Sequence, residues 1–138
     1  MFRHFICALV LGAASASLCA ASAAPAERFR LTPALLDRME AVQAASQAIA
    51  HDSEDQDVDA QSVEELARAL EADPRIRSLL ARHKITSTDY AAAVFAAVHA
   101  GAFLAMESAA RKKDLAAALA SFTPEQRANI EVLRSRKK

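Results

Sequence analysis

From Tyr90 to Met106 the chain reads YAAAVFAAVHAGAFLAM, seventeen residues in which His99 is the only strongly polar side chain. Glu107 and the Arg111-Lys112-Lys113 cluster close the run early, and a membrane span needs about 20 predominantly apolar residues, usually richer in Leu and Ile. The stretch therefore reads as the buried helix of a soluble domain, whose shorter amphipathic neighbours must cover it and be covered by it. Its start is specified locally. Thr86 stands at the N-cap and Asp89 at N3, with Ile85 and Tyr90 spaced as a hydrophobic staple. Val94, Val98, Gly101 and Ala105 form one stripe, and Phe95, His99, Phe103 and Met106 a second beside it. Two stripes imply contact on more than one side. With Val94 and Val98 facing inward, Val98→Asp is expected to cost several kcal/mol.

Residues 1–23 carry the three parts of an export signal: Arg3, the apolar run from Phe5 to Leu11, and small residues leading to Ala21-Ser22-Ala23. Cleavage near Ala23 would deliver a periplasmic or secreted chain of 115 residues, with no transmembrane segment left after signal removal. Cys7 and Cys19 both fall in the removed segment, which excludes disulfides, thiol nucleophiles and cysteine metal sites from the remainder. The 17 basic and 17 acidic residues become a formal charge of −1 once Arg3 is lost. Such a balance gives no footing for nucleic-acid binding. With two glycines and no alternating Val/Ile/Thr/Tyr pattern, strands have little support. The expectation is an all-α fold, a compact bundle of five or six helices around a central Ala-rich helix at about 87–111.

The remaining segments fit one domain over 31–138, preceded by a mobile leader at 24–30. Thr32 caps and Pro33 opens a first helix carrying Leu35, Leu36, Met39, Val42 and Ile49, ending near Ala50. The acidic stretch 51–59, HDSEDQDVD, has nothing to bury and reads as a solvated linker. Asp55, Asp57 and Asp59 match the opening of a calcium loop, but Ala60 and Leu66 replace its glycine and bidentate glutamate. Ser62 to Glu65 forms a second capping box, opening a helix with Val63, Leu66, Ala69 and Leu70 on one face. Asp73-Pro74 ends that helix and starts another bearing Ile76, Leu79 and Leu80. Asp114 is expected to cap a short segment with Leu115 and Leu119. Thr123 to Gln126 forms a third box before the last helix, which carries Ala128, Ile130, Val132 and Leu133.

Chemistry has few places to reside. His51, His83 and His99 are the imidazoles left after processing, and only His99 lies among aromatics, with Phe95 and Phe103 one turn away on either side. Phe95, His99, Phe103 and Met106 are accordingly the candidate ligand or partner surface. No carboxylate stands one turn from His99 to orient it as a base, and a core-edge histidine is the simpler reading. His-x-Met and Met-x-x-Met copper spacings, serine elbows, phosphate loops, HExxH and paired carboxylates are absent. No catalytic, cofactor-binding or metal residue is expected, and the chain reads as a non-catalytic module for an unidentified protein or cell-envelope partner.

The export signal, Leu31-Thr32-Pro33-x-Leu35-Leu36, Asp73-Pro74-Arg75-Ile76 and Ile85-x-x-x-Asp89-Tyr90 together resemble small uncharacterised exported helical proteins of Gram-negative bacteria. That likeness implies no activity. Phe122-Thr123-Pro124-Glu125-Gln126 resembles the Leu-Thr-x-x-Gln motif of the Spy/CpxP periplasmic chaperones, with Phe in place of Leu. This second resemblance implies an all-helical dimer with a concave cradle. An alternative is a small-ligand or metal binder using the Phe95/His99/Phe103 side.

Overall fold

The computed structural model describes residues 26–50 and 59–136, which form six α-helices and, among the described residues, no strand. They are α1 (Pro33–Ala50), α2 (Val63–Ala72), α3 (Pro74–Arg82), α4 (Ser87–Met106), α5 (Lys112–Ser121) and α6 (Pro124–Arg136). The expected export signal and the Asp55/Asp57 pair lie outside the described residues.

Short-range chemistry sets most helix starts. Thr32 Oγ1 accepts from the Leu35 N–H (3.2 Å), Ser62 Oγ from Glu65 (3.2 Å), Asp73 Oδ1 from Arg75 (2.8 Å) and Thr86 Oγ1 from Asp89 (3.0 Å). Each satisfies a first-turn N–H that the helix itself leaves without a partner. Arg75, through its side chain and then its backbone N–H, holds the Asp73 carboxyl below its ordinary range. Its cap therefore persists above the ordinary carboxylate pKa and is lost only as the pH falls through the lowered value. The third capping box closes reciprocally: Gln126 N–H donates to Thr123 Oγ1 (3.1 Å) and Thr123 N–H to Gln126 Oε1 (2.9 Å). The second is displaced, Glu65 Oε2 accepting from Gln61 N–H rather than from Ser62 (2.9 Å). For α5 the expected cap is corrected. Arg111 occupies the N-cap, and Asp114 sits in the first turn, where it complements the helix dipole and accepts from Arg111 Nε (2.8 Å).

Between α3 and α4 the chain reverses through a Schellman motif. Lys84 takes a left-handed conformation (φ 54°), with Lys84 N–H on Ala81 O and Ile85 N–H on Leu80 O, both 3.1 Å. A non-glycine residue there costs roughly 1–2 kcal/mol. The compensation is visible: Leu80 and Ile85 are both buried, and Arg38 of α1 donates to Lys84 O (3.2 Å). At its other end α4 stops at Met106 and not near 111. Ala109 and Ala110 N–H groups both fold back onto Met106 O (3.0 Å).

α4 lies at the centre, with α2 and α6 packed on it and α3 bridging α2 to α1. The main core joins Leu31, Leu35, Leu36 and Val42 to Leu79, Leu80, Ile85, Ala93 and Ala96. Val63 and Ala67 of α2 meet Ala91 and Ala92, while Phe103 and Ala100 meet Ile130 of α6. The buried side of α4 is thus built from Ala91, Ala92, Ala93, Ala96, Ala100 and Phe103. The stripe expected to face inward does not. Val98 is 64% exposed, Ala105 is exposed, and Val94 and Gly101 are half-buried. Every side of this helix is apolar, so hydrophobicity alone cannot orient it. Size decides, because alanines let neighbouring backbones come closer than valines do.

Residues 26–30, expected as a mobile leader, carry tertiary ties. Asn129 of α6, 1% exposed, accepts from Leu31 N–H through Oδ1 and donates to Phe29 O through Nδ2, both at 2.8 Å. Thr123 Oγ1 donates to Glu27 O (2.8 Å), and Phe29 packs against the core. Arg136 adds ion pairs to Asp37 (2.7 Å) and Glu40 (2.6 Å) of α1.

Asn129→Ala, which strands one buried and one part-buried backbone group, is expected to lower stability by about 2–4 kcal/mol in urea unfolding. On α4, Ala100→Leu should cost about 1–3 kcal/mol through overpacking, while Val98→Asp stays within about 0.5 kcal/mol of wild type. The reverse order in the same experiment would show that the helix is rotated.

Candidate functional site

The second stripe of α4 does not act as a unit, because different helices cover its successive turns. Phe95 is half-buried against the Val63, Ala67, Ala91 and Ala92 cluster. Phe103 is 5% exposed and belongs to the core with Ala100 and Ile130. Met106, the last residue of α4, is 59% exposed. His99 lies between these environments. Phe122, at the junction of α5 and α6, meets both the imidazole edge-on (centroids 4.7 Å apart, 68°) and the Phe103 ring (5.6 Å, 75°). Such edge-to-face pairs are favourable and fix ring orientation. The sequence pattern around His99 omitted Phe122, which no helical periodicity links to α4.

His99 Nδ1 is buried and has no hydrogen-bond partner in the protein. A ring placed for acid–base work needs a group that fixes its tautomer and another that receives the proton. Phe103 and Phe122 supply neither. Among the described residues no group of three or more His, Cys, Asp or Glu is arranged to share a metal ion.

A shallow cleft of about 480 Å³ opens elsewhere, between the end of α1 and α3, lined by Ile49, Pro74, Arg75, Ser78, Leu79 and Arg82. None of the four candidate residues borders it. Two of its polar groups are engaged within the protein: Ser78 Oγ donates to Pro74 O (2.8 Å) and Arg75 pairs with Asp73 (3.2 Å).

The open surface is the other side of α4. Val98 and Met106 are the exposed large hydrophobic residues among those described, and Ala102, Ala105 and Ala109 between and beyond them are exposed too. An alanine Cβ placed at Gly101 would meet nothing within 4 Å. By length and composition α4 is also apolar enough to cross a bilayer, and 33% of that window is buried within the fold. Comparison with protein families, characterised proteins and solved structures finds no match.

His99→Leu, which replaces a buried nitrogen lacking a partner by an apolar group of similar size, is expected to raise stability by about 1 kcal/mol in chemical unfolding. A loss of that size or greater would show that the imidazole has a bonding role.

Proposed function

We propose that this chain is an exported, non-catalytic helical module that acts by binding a protein partner through the open apolar side of α4. The observation that carries the reading is the 64% exposure of Val98 and 59% exposure of Met106 on a helix side without a charged residue from Val94 to Met106. Exposed apolar surface contiguous along a helix is unfavourable in water unless something covers it, and in soluble proteins it marks contact sites. The anchor geometry is that of a helix side read at i, i+4 and i+7 spacing. The Phe95/His99/Phe103 side supports a ligand pocket less well, since Phe103 is already covered by α6.

Export rests on the arrangement of Arg3, the Phe5–Leu11 run and Ala21-Ser22-Ala23. A photo-reactive amino acid at position 98, activated in intact cells, should give discrete covalent adducts on a chain whose mass corresponds to a start near Ala24. The same probe at the exposed Glu71 serves as control. Position 98 yielding no more adduct than position 71 would remove the proposal.

A further inference from the structure

The open side of α4 is small, and its surroundings indicate what covers it. From Val98 to Met106 it runs about 12 Å at 1.5 Å per residue. Its footprint is well below the roughly 800 Å² per partner of a standard interface, so contacts beside the stripe must contribute. At its N-terminal end the same side of α4 is already occupied: Ala91, two turns before Val98, is buried beneath Val63 and Ala67 of α2. The stripe is therefore a tread, and α2 is a step rising at one end of it. A two-fold axis near Gly101 and Ala102 brings two such surfaces together antiparallel, so that each step stands past the end of the other tread.

We infer that the occupant of this surface is a second copy of the chain, forming an antiparallel pair through Val98, Gly101, Ala102 and Ala105. The inference rests on the reading of α4 as the binding side and names the partner. Val94, Val98, Gly101 and Ala105 have the alternating four- and three-residue spacing of a two-helix seam. With the axis between 101 and 102, each Val98 faces an Ala105 of the other copy, so a larger side chain meets a small one at both positions. Gly101 leaves open space there for the approaching helix. Charge agrees with the same arrangement. α2 exposes Glu64, Glu65 and Glu71 against Arg68, whereas the N-cap and first turn of α5, just beyond α4, expose Arg111, Lys112 and Lys113 against Asp114. The antiparallel pair brings the acidic step of each copy to the basic turn of the other, while a parallel pair sets like against like. The modest tread makes this a weak, concentration-dependent dimer.

The test uses the chain beginning near Ala24, the form in which this reading has it exported, which contains no cysteine, so that any introduced thiol is unique. In sedimentation velocity its mass should rise from one chain to two with concentration, less so at high salt, and Val98→Asp should remain a one-chain species with an unchanged melting curve. Under mild oxidation Ala102→Cys should cross-link to a dimer at least tenfold faster than Val94→Cys, and a mixture of Val98→Cys with Ala105→Cys should form the mixed dimer. A wild-type chain that stays monomeric at all concentrations overturns the dimer, and so does efficient self-cross-linking of Val94→Cys, which requires a parallel pair. Binding to anionic phospholipid vesicles that Val98→Asp abolishes, without a dimer, would assign the surface to a membrane instead. If the photo-probe at position 98 captures only a different protein while the purified chain stays monomeric, the binding reading stands and this inference falls. No adduct at all removes both.

Discussion

The close approach of helices to α4 is what the rest of the fold depends on. Ala91, Ala93 and Ala100 are 0% exposed and Ala92 and Ala96 nearly so, and side chains this short bury little area of their own. Their contribution is geometric: they let larger groups of the neighbours, Val63, Leu79, Leu80 and Ile130, each pack against its own stretch of a thin central rod. A core made this way tolerates loss of volume at its rim better than gain of volume on the rod.

Features encoded by neighbours in the chain were legible in the sequence. Thr32, Asp73, Thr86 and Thr123 cap the helices they were expected to cap, since capping needs only an acceptor and an N–H two or three residues on. Features that depend on what lies across the fold were not. Asn129 looks like an ordinary polar residue of α6, yet it is buried because it replaces water for two backbone groups about a hundred residues away. Lys84 gave no glycine signal for its left-handed turn, and the stability of that turn comes from Leu80, Ile85 and Arg38. The orientation of α4 was hidden for a different reason: a helix apolar on all sides has no amphipathic direction to read.

The same limit governs the candidate site. Phe95, His99, Phe103 and Met106 share a stripe in the sequence but meet α2, Phe122, α6 and solvent respectively. Spacing along one helix shows which residues face the same way, and says nothing of what stands opposite each turn. The contact proposed for the protein thus moved by about a quarter turn around α4, from the aromatic stripe to the valine and alanine stripe beside it.

The bond between Asn129 and Leu31 joins residues 98 apart, and Arg136 reaches Asp37 across 99. Closure of the structure therefore waits for its last helix. Until α6 is made, the segment around Phe29 and Leu31 has no Asn129 to accept it and the groove beside Ala100 has no Ile130. High sequence separation of closing contacts slows folding and delays it until the chain is complete. A polypeptide built in this order carries the residues of its main core, from Leu31 to Ala96, ahead of the ties that fasten its N-terminal segment to α6.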